Sequence, residues 1–173
     1  MSAPVGTPLQ VLQADYANPD HAAALVMLLD AYACDPAGGG QALSAFARAH
    51  VVSGLAARPQ AYSVLAFAGE APVGLVNCIE GFSTFAARPL VNVHDVAVLA
   101  SHRGRGVAAR MLALAESIAR QRGAVKLTLE VLSGNAKAFE LYQRLGFAGY
   151  QLDPAMGSAQ FMQKLLPAAP VQA

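Results

Sequence analysis

The chain has 173 residues, 55% of them hydrophobic and 13% charged, with a formal net charge of +1 at pH 7. This is the composition of one domain with a full-sized core; it excludes general disorder and argues against a broad nucleic-acid footprint, while leaving room for a local basic pocket. The longest apolar run, Ala22–Leu29, is far too short to span a bilayer, and MSAPVGTPLQ lacks the basic start and apolar stretch of a signal peptide. A soluble cytoplasmic protein with neither a membrane nor a nucleic-acid partner is therefore expected. Cys34 and Cys78 are too few for a disulfide framework or a zinc site, and each reads as a small buried hydrophobe.

Taken in order, residues 9–16 (LQVLQADY) read as a strand. Asp20 then precedes Leu25, Leu28, Leu29 and Tyr32, an apolar stripe at helical spacing that ends near Asp35-Pro36. Gly38-Gly39-Gly40 follows as a loop, and a second helix spans about 43–55. Strands are predicted over 61–68 and 72–80 with a hairpin at Gly69-Glu70-Ala71, and another over 90–98 (LVNVHDVAV). Residues 106–122 form a helix with Val107, Met111, Leu114, Ala115 and Ile118 on one face and Gly123 at its C-terminal cap. A strand at 125–132 follows, then a short helix capped by Asn135 with Ala138, Leu141, Tyr142 and Leu145 inward and Gly146 at its end. Late strands near 147–152 and 159–165 complete a single domain over 1–166, with 167–173 as a loose tail. The segment 90–132 is a β-α-β unit, so two strands run parallel while the first half of the sheet is antiparallel. The expectation is a mixed α/β domain in which a twisted sheet of about six to seven strands is flanked by about four helices.

The chemistry lies in HRGRGVAARML, residues 102–112. Glycines before a helix let the backbone approach an anion, and the free N–H groups of the helix start receive it. Arg103 and Arg105 add charge. A Walker P-loop requires Gly, four residues, then Gly-Lys-Ser/Thr, and no such string occurs. Gly104-x-Gly106-x-x-Ala109 fits a loose dinucleotide pattern, with Glu130 placed as its ribose-binding acid. However, Leu99–Arg103 separates the strand from the first glycine, and too little chain follows Glu130 for the second half of a doubly wound sheet.

The third pattern, Arg103-x-x-Gly106-x-Ala108 after an apolar strand, resembles the acetyl-CoA motif of the GNAT acyltransferase superfamily, Q/R-x-x-G-x-G/A. The downstream run Asn135, Ala138, Leu141-Tyr142 and Leu145-Gly146-Phe147 resembles the same family's ending, and the likeness covers about 70–165. Within it, Phe82-Ser83-Thr84-Phe85, Arg88-Pro89 and His94-Asp95-Val96 look like the corresponding segment of diamine acetyltransferases, except that His94 stands where those enzymes have Glu.

The resemblance implies a GNAT-like fold and an N-acetyltransferase that moves acetyl from acetyl-CoA to the primary amine of a small molecule. Attack would be direct, in a ternary complex. A peptide or protein amine is the alternative acceptor, and a non-catalytic CoA-binding sensor the alternative class. It also implies a homodimer. The backbone of Val96, Ala97 and Val98 would meet the pantetheine arm, and the diphosphate would lie on Arg103, Gly104, Arg105, Gly106, Val107, Ala108 and Ala109. Asn135, as helix cap, and Ala138 would complete the cofactor contacts. Tyr142 matches the family's general acid, and an ordinary phenol (pKa about 10) can protonate a thiolate. His94 is either a base or a structural histidine. Asp95 orients a neighbour or holds a loop, and strand alternation places the two on opposite faces. Tyr32, Asp35, Phe82, Phe85 and Glu130 are the candidates for the acceptor pocket. No metal is expected: His21, His50 and His102 do not share a ligand spacing.

Overall fold

The computed structural model describes residues 8–150, 153, 155, 157 and 159–166. The chain opens with β1 (Leu9–Gln13) and α1 (Pro19–Cys34). The cap of α1 is Asn18, whose side chain accepts the N–H groups of Asp20 and His21, with Pro19 fixing the first turn; Asp20 lies one residue inside. A short turn, Pro36–Gly38, leads to α2 (Ala45–Ala56), capped by Ser44. Then come β2 (Ala61–Ala68), β3 (Ala71–Ser83), β4 (Arg88–Val98), α3 (Val107–Gln121), β5 (Leu127–Leu129) and α4 (Ala136–Arg144). Asn135 caps α4 by accepting the Ala138 N–H, as its place in the sequence predicts.

The strands form one five-stranded sheet in the order β1-β2-β3-β4-β5, antiparallel except for the parallel β4–β5 pair. The six to seven strands expected are thus five among the described residues. Neither 147–150 nor 159–165 is a strand; residues 151–152 and the tail at 167–173 lie outside the described residues. The reason is legible in retrospect. Phe161-Met162 and Leu165-Leu166 come in adjacent pairs and do not alternate as a half-buried strand requires, and all four are exposed.

Alternation along the central strands divides the core in two. Tyr62, Val64, Val76, Cys78, Val91 and Val93 face α3, where Val107, Met111, Leu112, Ala115 and Ile118 form its buried stripe. Leu65, Leu75 and Ala97 face Ala24, Leu25 and Leu28 of α1, with Val51, Val52 and Leu55 of α2 packed behind them. Cys78 is buried as expected, whereas Cys34 is exposed at the end of α1. Among the described residues no helix is long and apolar enough to cross a membrane.

The Pro36–Gly38 turn folds back on the last turn of α1. A Cβ at Gly38 would sit 2.0 Å from the Tyr32 carbonyl oxygen, a backbone atom with no rotamer to yield. Gly38→Ala should therefore push the turn off the helix and destabilise the fold by about 1–3 kcal/mol, as overpacking typically does. Urea unfolding checks this; an unchanged midpoint would show that the turn is free to move.

Candidate active site

β4 and β5 are paired only at Val91–Leu127, Asn92–Thr128 and Val93–Leu129. Beyond these pairs β5 ends, while β4 continues to Val98. The edge of β4 from His94 onward therefore has β3 on one side and, among the described residues, no strand on the other. A cleft of roughly 1200 Å³ occupies the gap. It runs from the start of α3 past the open edge of β4 and reaches the end of α1, with α4 forming its far wall.

At one end Gly104 and Gly106 have φ of 73° and 77°, in the left-handed region that favours glycine. No side chain caps α3, and the first main-chain bond into it is from the Arg110 N–H to the Gly106 carbonyl. The N-terminal N–H groups of this helix of about four turns thus point to the cleft with their partial positive charge. Gly104, Gly106, Val107, Ala108 and Ala109 all line it. Arg103 lines it too, but its guanidinium is engaged: Nε donates to the Val98 carbonyl at 2.9 Å, and a terminal nitrogen to the Asp35 carboxylate at 2.7 Å. Arg103, together with the Ala37 N–H, holds the Asp35 carboxyl below its ordinary range. Arg105 is exposed at the turn and outside the lining. Asn135 and Ala138 line the opposite wall, as do Lys137 and Arg144, two cations that the motif does not mark.

In the middle, Val96, Ala97 and Val98 line the cleft with His94, Glu130, Tyr32, Asp35 and Tyr142. Tyr142 is half-buried, packed edge-on against Phe147 with ring centroids 5.8 Å apart. Burial, with a smaller contribution from Tyr32, pushes its phenol up to about 12. Tyr32 is raised as well, by burial first and then by the carboxylates of Asp95 and Asp35. Tyr142 is consequently a neutral O–H donor throughout the neutral range.

The strand-alternation expectation for His94 and Asp95 does not hold, because β4 bulges between them. Val93 pairs with Cys78 and Asp95 with the very next residue, Asn77, so His94 is the extra residue. Its ring lies beside Asn92 on the face away from Val91 and Val93, and Asp95 comes onto that same face beside Asn77. The surrounding bonds set the histidine tautomer. Asn92 Nδ2 points to the Glu130 carboxylate (3.3 and 3.4 Å) and to Thr128 Oγ1 (3.2 Å), which leaves Asn92 Oδ1 toward His94 Nδ1 at 3.3 Å. An amide oxygen only accepts, so in the neutral imidazole Nδ1 carries the proton and Nε2 the lone pair. Asp95 itself is not part of the lining. Phe82 and Phe85 are also outside it, on the β3–β4 hairpin end, 63% and 97% exposed. That hairpin is paired to its tip, as far as Ser83 with Arg88.

The profile of the Acetyltransferase (GNAT) family matches residues 25–147, and the chain belongs to that family. Streptothricin acetyltransferase of Streptomyces lavendulae is 41% identical over 66 residues, 38% of this chain and 35% of that enzyme. This chain thus matches about a third of that curated relative's length. Among solved structures, a transcriptional regulator from Bacillus halodurans superimposes with a TM-score of 0.74 at 16% identity, covering 92% of this chain and all of that one. An aminoglycoside N-acetyltransferase in complex with CoA gives 0.71 at 18% identity, covering 94% of this chain and 99% of that one. At these identities the structures show a shared fold.

The Tyr142 environment has a measurable consequence. An unfolded phenol titrates near pH 10, and the folded one near 12. The folded state holds this proton more tightly, so the contribution is complete below about pH 10 and is lost as pH rises toward 12. Phenylalanine does not titrate. The stability of the native protein relative to Tyr142→Phe should therefore fall across that interval in urea unfolding. A difference independent of pH would mean that Tyr142 is not desolvated.

Proposed function

We propose that this chain is an acetyl-CoA-dependent N-acetyltransferase whose acceptor is the primary amine of a small molecule. One observation carries the reading. A single cleft joins an anion-receiving helix start, an unpaired strand edge and a neutral phenol, in that order, which is the order in which a diphosphate, an extended arm and a thioester follow one another. The cleft volume and the positive-φ glycine turn fit that molecule, and its acetyl thioester supplies the group transferred.

The chain's own residues account for the remaining needs. Main-chain N–H groups of Gly104–Ala109 receive negative charge without a bulky side chain in the way. The open edge of Val96–Val98 offers main-chain hydrogen bonds to an extended partner and a donor toward a carbonyl oxygen that gains charge. His94 Nε2 is the free acceptor for a proton leaving the amine, and the Tyr142 hydroxyl donates to the departing sulfur. Tyr32 and Glu130 shape the acceptor end. The amine bonds to the acetyl carbon as the carbon–sulfur bond breaks, so attack within one ternary complex needs no nucleophile from the protein.

The acceptor class draws support from the relatives: one acts on streptothricin and another on aminoglycosides, both small amines. The 82–96 segment that resembles diamine enzymes adds a linear diamine to the candidates. The proposal extends to a homodimer in the cytoplasm, supported by the resemblance and, for the dimer, by the apolar surface that Phe82 and Phe85 expose.

Free thiol release from acetyl-CoA tests the reading, with streptothricin, an aminoglycoside and a linear diamine as acceptors. Turnover on at least one is expected, and CoA binding without turnover on any amine would contradict it. Tyr142→Phe should lower kcat by about 10²–10⁴-fold with little change in CoA affinity, the scale of a general acid; unchanged kcat would remove it from the mechanism. Gly106→Trp should abolish CoA binding in calorimetry, and retained affinity would displace the diphosphate from the turn.

A further inference from the structure

Two polar side chains are buried in the described core, Ser63 at 0% and Asn77 at 4% exposure. Both lie on the α1 face of the sheet, on β2 and β3, and neither lines the cleft. They belong to one chain of hydrogen bonds. Tyr16 Oη is 2.9 Å from Ser63 Oγ, Ser63 Oγ is 2.6 Å from Asn77 Oδ1, and Asn77 Nδ2 is 2.9 Å from Asp95 Oδ2.

The chemistry of the ends gives this chain one direction. A carboxylate only accepts, so Asn77 turns its amide nitrogen to Asp95 and its oxygen to Ser63. Ser63 must give its single proton to that oxygen, so the bond from Tyr16 is donated by the phenol. Each buried polar atom of this chain has a partner, as a buried polar group requires if it is not to cost stability. The chain ends at a particular place. Asp95 is the first residue of β4 back in register after the bulge at His94, and its partner across the strands is Asn77 itself. A one-residue slip of β4 would carry Asp95 to the other face of the sheet and strand both its carboxylate and the Asn77 amide, so this pair adds to the register that side-chain period already sets.

We infer that Asn77, oriented by Ser63 and Tyr16, is a positioning residue: it fixes Asp95 and with it the bulge that sets His94 and the open edge of Val96–Val98. Asp95 acts through the same link and not by touching the reacting atoms. The kinetic consequence rests on the acetyl-transfer reading, whereas the structural one does not.

The test uses the whole chain and three variants of graded severity, Tyr16→Phe, Ser63→Ala and Asn77→Val. Amide hydrogen exchange of residues 94–98 should quicken in that order, by about tenfold or more for Asn77→Val, the factor that one lost hydrogen bond of this strength represents. Exchange in α3 should not change. With any acceptor that turns over, kcat should fall by about 10–10²-fold for Asn77→Val, the scale of a small misplacement, and more than CoA affinity measured by calorimetry. Exchange that is unaltered at 94–98, or that quickens equally in α3, would overturn the inference. So would a loss of CoA affinity as large as the loss of kcat. Tyr16→Phe removes only the outermost donor and keeps the test open if Asn77→Val does not fold. The exchange measurement needs no turnover, so it stands even if no amine is acetylated.

Discussion

Everything in the site depends on the parting of two parallel strands. β4 and β5 pair over three residues and then separate, and from His94 onward β4 runs with no described strand on that edge. Bare strand edges are liabilities in soluble proteins. Here the edge lies between α1, α3 and α4 and faces the cleft. The bulge at His94 belongs to the same feature: it increases the local twist and turns His94 and Asp95 onto one face. Without the parting there is no cleft, and without the bulge the strand presents its side chains to the wrong sides.

The charges around the cleft hold its parts in place more than they add stability. Arg103 joins three elements: its own turn, the carbonyl at the end of β4, and Asp35 after α1. With the arginine side chain 53% and the aspartate 22% exposed, the pair contributes little to folding free energy. Its consequence is geometric, because it couples the loop after α1 to the glycine turn. The cleft floor is handled differently. Tyr142 and Tyr32 are half-buried and raised by burial, which keeps two phenols protonated where a departing thiolate would need a proton. Neutral phenols tolerate burial better than charged groups do, and that is consistent with two protonated tyrosines beside an apolar core.

Much of this was legible in the chain. Gly104 and Gly106 announced a positive-φ turn, Asn135 announced a cap, and the stripe from Val107 to Ile118 announced the face of α3. What was not legible depends on register. Alternation predicted opposite faces for His94 and Asp95, and a bulge is a single-residue offset that no periodicity reveals. The buried chain from Tyr16 to Asp95 joins residues far apart in sequence, and Ser63 and Asn77 read merely as polar interruptions of apolar strands until the sheet aligns them. Phe82 and Phe85 looked like pocket residues because they precede β4, but they stand exposed on the hairpin end and outside the cleft lining. The motif also said nothing of Asn92, whose amide sets the tautomer of His94.

The central claim is that one cleft receives the whole of coenzyme A, and a crystal structure of the complex tests it most directly. The account predicts diphosphate oxygens within about 3 Å of main-chain nitrogens between Gly104 and Ala109, the distance of an ordinary hydrogen bond. It also predicts the extended arm beside Val96–Val98 and the sulfur next to the Tyr142 hydroxyl. Coenzyme A bound elsewhere, or in this cleft with its diphosphate away from the glycine turn, would contradict it.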